Sequence, residues 1–160
     1  MARDSGGLDL NSPYAYLLLS HFFSDTCAVA RSHDELVGFI AGFRPPIRPE
    51  SLFVWQIAVA PTARERGVGR RMLAWLLHRL SDDGVTYLEA TVTPSNEASH
   101  RMFKGLARQL DVPCSESCLF AANQFPDGAG HEDEVLLRIG PFDKSRVAQA
   151  MRVLEPKPAK

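Results

Sequence analysis

The sequence predicts an α/β domain with a mixed, twisted β-sheet flanked by helices. Three observations carry that expectation. Segments with apolar residues at helical spacing alternate along the chain with short β-branched runs. Residues 53–72 read as a strand, a Pro-marked loop and a Gly-rich turn that opens a helix. At 160 residues with 45% hydrophobic content, the chain is long enough for one domain with a substantial core.

Ser12-Pro13 supplies a cap followed by proline at the first helical position, and apolar spacing carries a helix over 12–23. Residues 26–31 and 35–44 are β-rich and are joined by Ser32-His33-Asp34, a connection of hairpin length. Pro45, Pro46 and Pro49 enforce a loop before a strand at 52–59. A helix over 67–80 is stopped by Asp82-Asp83-Gly84, and a strand follows over 85–92. Glu89 interrupts that otherwise apolar strand, either reaching a cleft or facing solvent. Pro94-Ser95-Asn96 opens a helix to about Gln109. The signal then weakens: residues 115–130 offer Phe120, Phe125 and an Asp127-Gly128 turn, and a strand returns at 134–139. Residues 1–142 are read as the single domain, and 143–160 as a C-terminal segment with a frayed tail.

A net charge of −1 provides no polybasic face for nucleic acid or an acidic membrane. The N-terminus lacks the basic and then apolar order of a signal peptide, and no run has the length of a membrane span, so a cytoplasmic protein is expected. Cys27, Cys114 and Cys118 are an odd number of cysteines, against a disulfide framework. Cys114, Cys118 and His131 make only three soft ligands without a second matching Cys pair, so no metal is expected.

The turn after the 52–59 strand has the makings of a pyrophosphate site. Amides of Arg66, Gly67, Val68 and Gly69 would lie at the first helical turn, where the macrodipole adds partial positive charge. Gly67 and Gly69 allow close backbone approach, and Arg64, Arg66 and Arg70 supply charge-assisted contacts. Competing phosphate motifs fail: no Gly-x-x-x-x-Gly-Lys-Ser/Thr occurs, and Leu73 follows Met72 where a dinucleotide fold needs its third glycine.

Arg64-Glu65-Arg66-Gly67-Val68-Gly69 resembles the Arg/Gln-x-x-Gly-x-Gly/Ala signature of the GCN5-related N-acetyltransferases, which implies acetyl-CoA as co-substrate and that superfamily's fold. Tyr87 to Ser99 adds a strand, a turn and a helix start, with Asn96 where the superfamily has a CoA-facing Asn. Together with Asp9 to Tyr16, Phe39 to Pro46 and Phe53-Val54-Trp55-Gln56, these segments resemble the diaminobutyrate acetyltransferase branch, which acetylates the side-chain (N4) amine of L-2,4-diaminobutyrate in ectoine biosynthesis. The resemblance implies a homodimer and a pantetheine arm paired with the backbone of Ile57 and Val59 at a splay in the sheet. Two departures stand out. Phe103, which the resemblance places among the CoA-binding residues, takes the place of the Tyr that usually protonates the departing thiolate, and only seven residues precede Leu8, so the superfamily's first strand is expected to be missing and stability to be lower than in longer relatives.

Acetyl transfer to an amine needs a base or water chain to remove a proton and donors for the developing oxyanion, and no nucleophilic Ser or Cys. Tyr14 and His131 are the expected proton-handling residues. The resemblance offers Asp9 and Glu134 as acids for a substrate ammonium. Trp55 could wall the pocket or present its ring to a cation, or be a core residue. Arg44 and Arg48 are equal candidates for the substrate carboxylate. Another small diamine, a protein tail, or a non-catalytic CoA-binding module are the competing functions.

Overall fold

A computed structural model describes residues 11–126 and 130–154. The first helix, α1 (Pro13–Phe22), starts where Ser12 accepts the Ala15 amide, with proline in its first turn. A hairpin of β1 (Ala28–Ser32) and β2 (Glu35–Phe43) follows, then β3 (Ser51–Val59), α2 (Val68–Leu80), β4 (Tyr87–Val92), α3 (Glu97–Leu110), β5 (Cys114–Phe120), β6 (Glu134–Ile139) and α4 (Lys144–Leu154). Among the described residues six strands form one sheet, ordered β1-β2-β3-β4-β6-β5. Only β3 and β4 are parallel neighbours, joined across α2, which makes the sheet mixed as expected.

Alternation of side chains splits the sheet into two faces. Ile40 joins the core under α2, whereas its neighbour Phe39 meets the ring of Tyr16 from α1 edge-on at 6.2 Å. Leu73, Leu76, Leu77 and Leu80 of α2 form a buried stripe at three- and four-residue spacing on Leu52, Val54, Leu88, Ala90, Leu137 and Ile139. The other face carries Phe53, Glu89, Glu134 and Arg138, which alternate with those core residues.

Two irregularities position the site. The register between β2 and β3 shifts from Ala41↔Gln56 to Gly42↔Val54, leaving Trp55 as the extra residue of a bulge. The bulge resets the alternation, so Ile57 and Val59 share the helix-side face with Leu52 and Val54. Pairing between β3 and β4 covers only Ser51↔Tyr87, Leu52↔Leu88 and Phe53↔Glu89. Beyond that vertex the two strands separate.

The ladder's phase decides what the gap presents. Ala60 N–H donates to Val37 O, so in the β2–β3 register Ala58 and Gln56 bond toward β2. The N–H and C=O groups of Ile57 and Val59 therefore point into the gap on the β4 side. These are the backbone groups for which the resemblance implies pairing with the pantetheine arm.

Two elements escaped sequence reading. Strand β5 is exposed along six of its seven residues, so it has no apolar alternation to detect. Helix α4 lies in the segment set apart after residue 142. Its apolar stripe is narrow, yet Val147 and Ala150 are fully buried in the same core as α2. Asp9, the beginning of the chain where a strand was expected to be missing, the Asp127-Gly128 turn and the tail from 155 fall outside the described residues.

Candidate active site

A groove of about 650 Å³ opens between the β3 end of the gap, the start of α2 and one face of α3. Gly67 sits at the N-cap of α2 with φ +72°, a left-handed conformation that glycine adopts without a Cβ penalty. No side chain caps this end, so the first-turn amides of Val68, Gly69 and Arg70 face outward as anion donors. Gly69 serves packing: a Cβ there would come 2.9 Å from Met102 Sδ. Arg64 Nε donates to Val59 O across 3.4 Å, tying the loop to the last residue of β3.

Asn96 caps α3 by accepting the Ser99 amide at 3.1 Å, which leaves its side-chain NH2 as the donor available to a ligand in the groove it lines. Ile57, Val59, Arg64, Gly67, Val68, Gly69, Arg70 and Asn96 all line this one groove. Arg66 is exposed beside it without lining it. Phe103 is 2% exposed and belongs to the core cluster, because α3 turns Met102 and Gly105 toward the groove instead. Its side chain offers neither a proton nor a groove contact.

The other face of the sheet holds the polar residues suited to an amine. Glu134 opens β6, and its alternation with Val135 sends it to the face opposite α2. His131 Nδ1 contacts Glu132 O at 2.8 Å, which selects the tautomer with the proton on Nδ1. The ring stacks on Phe125 with centroids 3.9 Å apart. Its Nε2 then lies 3.8 Å from Glu134 Oε1. With the proton on Nδ1 alone, Nε2 and the Glu134 carboxylate present two acceptors to an ammonium donor; with a second proton on Nε2, the ring and carboxylate face each other as an ion pair. Glu132 in turn accepts from the Ser95 backbone N–H at 3.1 Å and from its hydroxyl, joining this loop to the start of α3.

Trp55, 41% exposed at the bulge, and Glu134 stand on the two arms that part beyond Phe53 and Glu89. Tyr14 is 68% exposed on the first turn of α1, and no hydrogen bond brings it to His131 among the described residues. Tyr16, passed over in the sequence, donates instead to Gln56 Oε1 at 2.9 Å on buried β3.

Glu89 resolves its two open readings in favour of neither solvent nor ligand. Its side chain is 0% exposed and pairs with Arg48 at 3.1 Å and with Arg138, while Ser51 donates to it at 3.2 Å. Arg138 also meets Glu50 at 3.2 Å and stacks 3.7 Å above the Tyr87 ring. The backbone amide of Glu50 itself, and then Arg138, hold the Glu50 carboxyl below its ordinary value. Because Phe53↔Glu89 is the last registered pair, this cluster clamps the vertex from which both arms diverge. Arg44 donates through Nε to Pro49 O at 2.7 Å, so both arginines considered for a substrate carboxylate have internal partners. Burial pushes the Cys27 and Cys114 thiols up, against a thiolate nucleophile.

Missed residues left a partial signal. Arg101 and Arg108 recur with Ala98 and Gly105 at helical spacing along the groove face. Glu89 is the lone charge in β4, and Arg138 interrupts the apolar run of β6 after Leu136 and Leu137, a pattern that pairs them once the strands are neighbours.

The acetyltransferase (GNAT) family profile matches residues 4–107. An L-2,4-diaminobutyric acid acetyltransferase of Marinococcus halophilus is 47% identical, over 86% of this chain and 79% of that protein. Its counterpart in Streptomyces avermitilis is 48% identical, over 89% and 80%. The diaminobutyrate acetyltransferase EctA from Paenibacillus lautus, solved with L-2,4-diaminobutyric acid and coenzyme A, superposes with a TM-score of 0.83 at 49% identity, covering 88% of this chain and 85% of that one. The Escherichia coli ribosomal-protein-S18-alanine N-acetyltransferase shares the fold at a TM-score of 0.62 and 18% identity, over 88% and 83%. A gapped sheet, a left-handed glycine at the start of α2 and this degree of identity to curated relatives agree, and the chain belongs to the diaminobutyrate acetyltransferase family of GNAT enzymes.

Proposed function

We propose that this chain transfers the acetyl group of acetyl-CoA to the side-chain (N4) amine of L-2,4-diaminobutyrate, the acetylation step of ectoine biosynthesis, by direct transfer within a ternary complex. The observation that carries the substrate is the 49% identity to a protein whose structure holds both diaminobutyric acid and coenzyme A. The groove carries the co-substrate independently, because gap-facing backbone, outward amides and arginines line one continuous surface.

Acetyl-CoA supplies an activated thioester carbonyl. The chain's own residues hold it through the Ile57 and Val59 backbone, the Val68 to Arg70 amides, Arg64 and Asn96, with Arg66 adding charge from the rim. Glu134 and Asp9 hold an ammonium of the substrate, and Trp55 walls the pocket. His131 Nε2, its lone pair free to accept, removes the proton from the attacking amine. Tyr14 is the second proton-handling group, for which closure of the substrate over α1 would be required. Phe103 acts as core packing, so the group that protonates the thiolate lies elsewhere. We further assign the chain to the cytoplasm as a homodimer; no helix among the described residues is long and apolar enough to cross a membrane.

The test is CoA thiol release with acetyl-CoA and L-2,4-diaminobutyrate, beside ornithine, lysine and a no-amine control, with mass spectrometry to locate the acetyl group. Selective N4 acetylation is expected. Equal rates with ornithine would replace the substrate, and CoA binding without turnover would leave a binding module.

A further inference from the structure

We propose that Arg70 and Arg108 form a subsite for the 3′-phosphate of CoA, through which this chain selects the phosphorylated carrier over its dephospho form. The inference rests on the CoA reading above and adds to it a residue on α3 that no motif marks.

The two guanidinium groups come from different helices and converge over Gly105. A Cβ at that glycine would lie 3.4 Å from Arg70 Nη1 and 3.8 Å from Arg108 Nη2. Both cations are permanently charged, and their approach is unfavourable without a compensating anion. Neither takes part in an ion pair among the described residues, whereas their neighbours are neutralised: Arg101 by Glu97 at 2.8 Å and Lys104 by Glu116 at 2.8 Å. Glu65 is the acid that lines the groove with them, on the loop before α2.

Position along the groove names the anion. Asn96 and the gap lie at the N-terminal end of α3, and the outward amides lie at Val68 to Arg70. Gly105 and Arg108 lie in the second half of α3, farther from the gap. A carrier with its pantetheine in the gap and its pyrophosphate on the amides sends its ribose end toward Gly105. The remaining anionic group on that end is a phosphomonoester, which two guanidinium forks match in charge and geometry. Arg108 also sits in the last turn of α3, where the macrodipole favours a cation with no ligand present. That simpler role would show in stability and not in ligand choice.

Titration calorimetry with CoA and 3′-dephospho-CoA, on the full chain and on Arg108→Gln and Arg108→Lys, separates the two roles. The wild-type chain is expected to bind CoA at least about tenfold more tightly than dephospho-CoA, the size of a charge-assisted contact. Arg108→Gln should weaken CoA and bring that ratio toward one, and Arg108→Lys should fall between because it keeps the charge and loses the fork. A ratio that Arg108→Gln leaves unchanged, equal weakening of both ligands, or wild-type binding that ignores the 3′-phosphate would overturn the subsite while leaving the CoA reading standing. Failure of the wild-type chain to bind either ligand would overturn both.

Discussion

The helix side of the sheet and its opposite face, to which we assign the CoA groove and the amine pocket, are built by different means. The CoA groove is made largely of backbone: the gap-facing groups of Ile57 and Val59, a left-handed Gly67 and the amides that follow it. The proposed amine side is made of side chains from separate places, with Trp55 on β3, Glu134 on β6 and His131 on the loop before it. Backbone geometry tolerates most changes of side chain, so apart from its arginines and Asn96 the groove should fail where φ or space is altered. An acceptor pair such as His131 and Glu134 should fail with either member.

The largest expected effect lies at the vertex that both halves share. Removing Arg138 would leave the fully buried Glu89 with Arg48 as its remaining cation among the described residues, so the cost should fall short of the roughly 3–5 kcal/mol of a buried charge left without any partner. Arg138→Ala should therefore lower the melting temperature and weaken CoA and diaminobutyrate binding together. Glu89→Gln, which keeps hydrogen bonds and relieves the buried charge, should be milder. Loss of one ligand alone in Arg138→Ala would mean that the two arms do not depend on a common clamp.

Two further changes separate the halves. His131→Ala should lower kcat by about 10²–10⁴, the range for losing a general base, while KM for acetyl-CoA stays near its starting value. The contrast is Gly67→Val, which places a β-branched residue at φ +72° at a cost of roughly 1–2 kcal/mol and crowds the anion site. It should raise KM for acetyl-CoA. Gly67→Asn, which accepts left-handed backbone, should recover part of the loss. Steady-state kinetics with each substrate varied in turn would check both; a KM effect in His131→Ala equal to that in Gly67→Val would erase the distinction.

The same division explains what could be read from the sequence. The groove's start was legible because strand, loop, Gly67, Gly69 and flanking arginines are contiguous, and each has a local physical reason. Strands β2, β3, β4 and β6 and helices α1 to α3 were legible from period, proline and caps to within a few residues. Strand β5 was not, because its side chains face solvent along nearly all of its length. The bulge at Trp55 is a matter of register with β2, which no single segment encodes. On the amine side, Glu134 was named through resemblance and His131 from its place before the returning strand, whereas the tie from Glu132 to Ser95 links residues 37 apart and had no local trace. Glu89 was visible as an anomaly, but its partners came from the β2–β3 loop and from β6.

The smallest expected effect concerns the cover of the helix side. Asp143 begins α4 by accepting the Ser145 hydroxyl at 2.6 Å and the Arg146 amide at 2.9 Å, and α4 buries Val147 and Ala150 in the core it shares with α2. The Ser145 hydroxyl first, then the Arg146 amide, hold the Asp143 carboxyl below its ordinary value. A carboxyl whose folded pKa is depressed contributes stability that is fully present above its unfolded value, about 3.9, and is lost as pH falls through the folded one. Asp143→Asn can still cap the helix, so it removes the charge and keeps the acceptor. The melting temperature of this variant should lie slightly below wild type at neutral pH, and the gap should close as the pH falls past the carboxylate range. Asp143→Ala, which removes the acceptor as well, should retain a deficit in acid. Because α4 and α2 share one core, CoA or diaminobutyrate bound to the folded chain should raise the melting temperatures of wild type and Asp143→Asn alike and leave the neutral-pH deficit in place; a deficit that CoA alone removes would mean that the cap is coupled to the groove.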